Sequence, residues 1–298
     1  MAPQTPPAEV DIDTALVRRL LGAQHPDLAD RPLAPVGEGW DNAMFRLGET
    51  LVVRLPRRAR AAELVRHEAR VLETLAPRLP IPIPTPVRTG EPTDDYPWPW
   101  NVVPWFEGEE AAASPPPDGD APRFVAFLQA LHVPAPAEAP ENAFRGVPLV
   151  DRAEVVEKAF AALRPDTRVV TPAIETAWAD AVAAPIAETD VWLHGDLHGR
   201  NVLVRDGRVA AVIDWGDVTS GDPACDLAAL WMLFDDPRVR AEALTQYGVD
   251  EALRVRALGS AVSFAAVLLA HGREGDPRLA TVGANTFRRV EADLAAAR

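Results

Sequence analysis

The sequence predicts an α+β fold, with a β-rich first third that carries one main helix and a mostly helical remainder. Three observations carry this expectation. Ala43-Met44-Phe45-Arg46-Leu47 and Leu51-Val52-Val53-Arg54-Leu55 flank a Gly48-Glu49 turn and read as a hairpin. From Phe124 onward apolar residues recur at helical spacing, first at Phe124, Phe127, Leu128 and Leu131. The chain's 298 residues, 48% of them apolar, exceed a usual single core and can fill two.

Along the chain, Val36-Gly37-Glu38-Gly39-Trp40-Asp41-Asn42 leads into the first hairpin. Its two glycines let backbone amides approach a ligand closely. Residues 60–72 form an amphipathic helix with Leu64, Val71 and Leu72 on one side. Alternate prolines over 80–86 force extended backbone. An aromatic and apolar strand over 96–108 then ends at the expected boundary, dividing the chain into 1–104 and 105–298. Residues 109–121 are small, acidic and proline-rich, which gives a loop. Beyond the Phe124 helix, where His132 is expected as a packed core residue, Asp151 starts a second helix and Thr171-Pro172 caps a third. Asp222-Pro223 caps a helix expected to run through Trp231 to about Phe234, and helical patterns close the chain over 250–271 and 276–297.

The chemistry concentrates in Leu193-His194-Gly195-Asp196-Leu197-His198-Gly199-Arg200-Asn201, followed by Asp214 in Val212-Ile213-Asp214-Trp215-Gly216-Asp217. Between them two apolar runs flank Asp206-Gly207, the dipeptide of a two-residue primed turn. If Arg205 pairs with Arg208, Asn201 falls opposite Val212, and strand alternation puts Asn201 and Asp214 on one face as diagonal neighbours. Their oxygens can then converge on one Mg²⁺, with Asp196 beside the metal to accept or orient the proton of a hydroxyl. Two rival readings stand against this: a plain capped loop, and a metallohydrolase using His194, Asp196 and His198 as ligands.

His194-Gly195-Asp196, Asn201 and Asp214 together resemble the catalytic loop and metal-binding segment of the aminoglycoside phosphotransferases, small-molecule kinases related to protein kinases. The resemblance implies a bilobal protein-kinase-like fold with the active site in the cleft, Asp196 as catalytic base, and Asn201 and Asp214 as Mg²⁺ ligands. Asp226, in Gly221-Asp222-Pro223-Ala224-Cys225-Asp226, would support the catalytic loop. ATP or GTP would be held by Gly37 and Gly39, with backbone groups near Val103 and Trp105 receiving the base. The lysine that pairs with phosphates is replaced by Arg54, because the chain's only lysine is Lys158. Glu68, with Glu63 as fallback, would pair with Arg54. Asp217, Asp235 and Asp236 lie where an acceptor's ammonium groups would come. The implied reaction phosphorylates a hydroxyl of a small molecule, most simply an aminoglycoside. A macrolide or hydroxylated metabolite is an alternative, and so is a kinase-like module without turnover.

A net charge of −14 argues against nucleic acid and is compatible with a cationic substrate. Cys225 is alone, so no intrachain disulfide forms and a cytoplasmic setting is expected. The N-terminal residues lack a secretion signal, and the longest apolar run, around 261–270, is half a membrane span. No membrane partner is expected; the sequence leaves the oligomeric state open.

Overall fold

The computed structural model describes residues 7–38, 41–166 and 168–296. They fall into two compact units. One runs to Pro77 and resumes over Pro82–Glu107; the other holds Arg78–Ile81 and everything from Gly108. The expected division at 104/105 lies just ahead of this one.

The first unit begins with helix α1 (Thr14–Gln24), which Asp13 caps by accepting the Leu16 amide at 2.7 Å. Strands β1 (Leu33–Glu38), β2 (Asn42–Leu47), β3 (Leu51–Pro56), β4 (Arg88–Gly90) and β5 (Trp100–Pro104) form one antiparallel sheet, ordered β1-β2-β3-β5-β4. The expected hairpin is present, with Leu47 opposite Leu51 and Asn42 opposite Pro56. One sheet face meets Leu16, Val17, Leu20 and Leu21 of α1 through Phe45, Val53, Leu55 and Trp100, making the unit's core. Burial of this apolar surface is the main force holding the helix to the sheet. Helix α2 (Ala59–Leu75) carries Val65, Leu72 and, unusually for an acid, Glu68 into the interior.

Among the described residues the second unit contains short strands and eight α-helices after a two-residue strand β6 (Glu109–Glu110). Helices α3 (Ala121–Leu131), α4 (Ala153–Leu163) and α5 (Pro172–Ala183) precede β7 (Val191–Leu193), β8 (Val202–Arg205), β9 (Arg208–Val212) and β10 (Thr219–Gly221). β6, β8 and β9 form one small sheet, and β7 pairs with β10 in another. The helix expected from Asp222 to Phe234 is broken at Ala228 into α6 (Ala224–Leu227) and α7 (Ala229–Leu233). The chain closes with α8 (Pro237–Tyr247), α9 (Glu251–Gly275) and α10 (Pro277–Ala296). By length and composition α9 could cross a membrane, yet 67% of its most apolar window is buried inside this unit. It packs against α4, α5, α6 and α10, which accounts for its apolar character as core.

Candidate active site

Asp206 and Gly207 both take positive φ, 51° and 69°, so the expected primed turn forms and Arg205 pairs with Arg208. The register does not persist. A bulge at Leu203/Val204 moves Val202, not Asn201, opposite Val212, and the Ile213 amide donates to the Asn201 carbonyl at 2.8 Å. Asp214 is therefore out of step with the diagonal arrangement the sequence predicts. It leaves the strand at φ 61°, a left-handed conformation, and is exposed. A left-handed turn at Asp214 thus takes the place of simple strand alternation.

β7 delivers the chain to His194-Gly195-Asp196, and a buried carboxylate fixes this turn from beneath. Asp226 accepts the His194 amide at 2.7 Å and the Gly195 amide at 2.9 Å. Gly195 sits at φ 84°, where a Cβ would stand 2.6 Å from the Asp217 carbonyl oxygen, so only glycine fits. His132 Nε2 lies 3.3 Å from Asp226, and its Nδ1 is 2.8 Å from the Tyr247 hydroxyl. His132 is thus a link in this network rather than plain core. Burial works to raise the Asp226 carboxyl, but the His132 and backbone hydrogen bonds outweigh it and leave it lowered.

Asp196 emerges above that support. Arg145 Nη2 reaches its Oδ1 at 2.5 Å, and His198 Nε2 is 3.4 Å from its Oδ2. Burial pushes the Asp196 carboxyl up, and the charges of His198 and Arg145 more than reverse this, so it lies well below the ordinary carboxylate range. Asn201 donates its carboxamide N–H to the Asp196 carbonyl at 2.8 Å, with Oδ2 at 3.4 Å. That orientation turns the carboxamide oxygen away as an acceptor. The oxygens of Asn201 and Asp214 suit a hard cation such as Mg²⁺ in donor type. The histidines do not fit the metallohydrolase alternative. His194 spends Nε2 on the Ile213 carbonyl and Nδ1 on the Asp196 amide, and His198 Nδ1 takes the Arg200 amide. Among the described residues no three His, Cys, Asp or Glu side chains group to hold a metal.

Arg145, which no local sequence pattern singles out, is the second charged group of this candidate site. Besides Asp196 it reaches Asp217 Oδ2 at 3.4 Å, while Asn142 donates to Asp217 Oδ1 at 2.9 Å. Asp217, expected among the acceptor contacts, is hence engaged in holding Arg145. Asp196 and Arg145 line a cavity of about 70 Å³, open at its mouth, together with Cys225, Ser260, Ser263 and Phe264. Asp235 and Asp236 do not line it. Asp235 pairs with Arg288 and Arg289 of α10 at 2.5 and 2.6 Å, which pulls its carboxyl down to about 2. Asp236 caps α8, accepting the Arg238 amide at 2.8 Å. Their expected contact with an acceptor gives way to these structural pairings.

In the first unit Arg54 and Glu68 form a buried bidentate pair, with guanidinium nitrogens 2.6 and 3.1 Å from the two carboxylate oxygens. The partner of Arg54 is therefore Glu68, not the fallback Glu63. Val103 is opposite Val52 in the sheet. The Trp105 amide already donates to the Thr50 carbonyl at 2.8 Å, so that N–H is not open to a nucleotide base as the resemblance implied. Gly37 lies in β1 opposite Met44, past an irregularity at Pro35, and Gly39 lies outside the described residues.

The sequence pattern of the phosphotransferase enzyme family matches residues 32–258, most of the chain. The chain belongs to that family. It is a phosphotransferase, a small-molecule kinase with the α+β fold of its kinase-like relatives. No curated protein matches it. Among solved structures, this phosphotransferase is similar to the GDP complex of wild-type aminoglycoside 2′-phosphotransferase-IIIa, with 16% identity, TM-score 0.65, and 96% of this chain and 100% of that one covered. A streptomycin–ATP–APH(2″)-IIa ternary complex matches with 21% identity and TM-score 0.57 over 85% of this chain and 87% of that one. Macrolide 2′-phosphotransferase type I matches with 24% identity and TM-score 0.60 over 94% and 98%. At such identities these likenesses establish the fold.

Proposed function

We propose that this phosphotransferase moves the γ-phosphoryl group of ATP or GTP to a hydroxyl of a small molecule, with Mg²⁺ as its cofactor. The observation that carries the reading is the Asp196 carboxylate, which follows the His194-Gly195 turn that Asp226 anchors and is set in the wall of a cavity open at its mouth. The oxygen of the acceptor hydroxyl bonds to the γ-phosphorus, the bond to the bridging oxygen breaks, the nucleoside diphosphate leaves, and the hydroxyl proton passes to Asp196. A carboxylate of lowered proton affinity suits this step. Phosphoryl transfer runs through a loose transition state, so the hydroxyl is mainly oriented early and surrenders its proton late. Arg145 holds Oδ1 at 2.5 Å, whereas Oδ2 has only the longer 3.4 Å contacts of Asn201 and His198 and is the oxygen offered to the hydroxyl. Asn201 and Asp214 would hold Mg²⁺, whose charge offsets that of the phosphates.

The similar structures include complexes with GDP and with ATP, which supports a nucleotide co-substrate, and they include enzymes named for aminoglycosides and for a macrolide. The test is nucleotide-dependent gain of one phosphoryl mass across a panel of aminoglycosides, macrolides and hydroxylated metabolites. Asn201→Ala and Asp214→Ala should each raise the Mg²⁺ concentration for half-maximal transfer at least tenfold. Unchanged Mg²⁺ dependence in both variants contradicts the metal assignment.

The Arg54–Glu68 pair is proposed to orient the nucleotide from the first unit. A guanidinium held as a fork presents its remaining donors in a fixed plane. Arg54→Ala should raise the nucleotide KM or lower kcat by at least tenfold, read by steady-state kinetics. Near wild-type values would remove Arg54 from the site.

A further inference from the structure

The cavity beside Asp196 is uneven in how its charges are matched. Asp196 is answered by Arg145, and Asp222, also in the wall, is answered by Arg256 with Nε at 2.6 Å from Oδ2. Arg152 is different. It is half-buried in the short 3₁₀ turn before α4, lines the same cavity, and has no hydrogen bond or carboxylate partner among the described residues. Its one aromatic neighbour is Phe144, whose ring centroid lies 5.9 Å from the guanidinium carbon. Nor does it serve the helix it precedes. Arg152 occupies the N-cap of α4 with no side-chain cap bond, and a cation at a helix N-terminus is disfavoured by the macrodipole. Burial and the nearby charge of Arg145 both work to lower its proton affinity.

Two hydroxyls join it. Ser260 and Ser263, one turn apart on α9, are 5% exposed, line the cavity and have no hydrogen-bond partner among the described residues. Phe264, Leu149 and Leu268 supply apolar wall between these polar groups. The chain's net charge of −14 is therefore not what an acceptor meets. A polycation entering here would find its carboxylates already paired and two guanidiniums in the wall.

We propose that the pocket takes a hydroxylated acceptor with an apolar body and one anionic group, the anion facing Arg152 with Ser260 and Ser263 as supporting donors, and that it discriminates against polycationic sugars. The assignment of the hydroxyl to the Asp196 end rests on the phosphotransferase reading above. The charge preference at the Arg152 end rests on the pocket alone.

The experiment uses one skeleton in three charge states: tropate, methyl tropate and 3-amino-2-phenylpropan-1-ol, with kanamycin as polycation. Binding to the full chain without nucleotide is measured by calorimetry for wild type and for Arg152→Glu. Glutamate suits a helix N-terminus, so this variant should fold. Wild type should bind tropate at least tenfold tighter than the amine, with the ester between, and Arg152→Glu should reverse the order. Tightest binding of the amine or kanamycin by wild type overturns the proposal. So does an order that Arg152→Glu leaves unchanged, or no binding of any of the four. Nucleotide and Mg²⁺ are then added. Phosphoryl gain on bound tropate places its hydroxyl at Asp196, whereas binding in the expected order without any gain contradicts the reaction and not the charge preference.

Discussion

Asp196→Asn is expected to lower kcat by three or more orders of magnitude while nucleotide binding changes less than threefold. The substitution keeps size and shape but removes the group that orients the hydroxyl and takes its proton, a contribution of about 10²–10⁴ in typical general-base catalysis. It also strips Arg145 of its closest anionic partner, 2.5 Å away, so a half-buried guanidinium is left facing an amide. Both effects act on the acceptor side. A loss confined to kcat, with circular dichroism and melting temperature unchanged, separates this outcome from unfolding. Retained turnover would refute the base assignment, and loss of nucleotide affinity alone would move Asp196 from the chemistry to binding.

Asp226→Ala should cost both stability and activity. The carboxylate satisfies two buried backbone amides and one ring nitrogen of His132. Stranded buried donors cost about 1–3 kcal/mol each, so the two amides alone put the loss at about 2–6 kcal/mol, or roughly 5–20 °C in melting temperature for a unit of this size. Activity should fall at least a hundredfold even well below the melting temperature, because the turn that presents Asp196 loses its anchor. The pH dependence has a definite sign. Folding lowers the Asp226 carboxyl, so the native state binds fewer protons than the unfolded chain in acid. Its contribution is full above the ordinary aspartate value of about 3.9 and is lost as pH falls further. Asp226→Ala should therefore show a shallower acid loss of stability than wild type. Wild-type stability in this variant would mean the backbone amides find other partners.

Local signals carried the catalytic loop into view. The Asp-Gly turn, the hairpin of the first unit and the two-unit α+β organisation depend on spacings within a short stretch of chain or on composition, whereas the Arg54–Glu68 pair is implied by the family resemblance. Features set by distant partners did not show. Arg145 is one arginine among many, and what distinguishes it is a carboxylate 51 residues away. Asp235 reads as a solvated loop acid until α10 brings Arg289 from 54 residues downstream. The extra residue Ala210 in β9 shifts the register by one, which strand alternation has no means to anticipate, and Asp214 leaves the strand in a left-handed conformation. Helix α1 was in principle legible from its Asp13 cap and the 16, 17, 20, 21 apolar set. Strand β1 was obscured by Pro35.

Transfer through Asp196, rather than nucleotide binding alone, is what defines the proposed activity. Its most direct test follows the fate of a γ-labelled phosphoryl group, supplied on ATP and on GTP with Mg²⁺, in the presence of hydroxylated acceptors. Label should move onto an acceptor with wild type and remain on the nucleotide with Asp196→Asn. Label that stays on the nucleotide with both proteins, or that appears only as inorganic phosphate, would contradict the account.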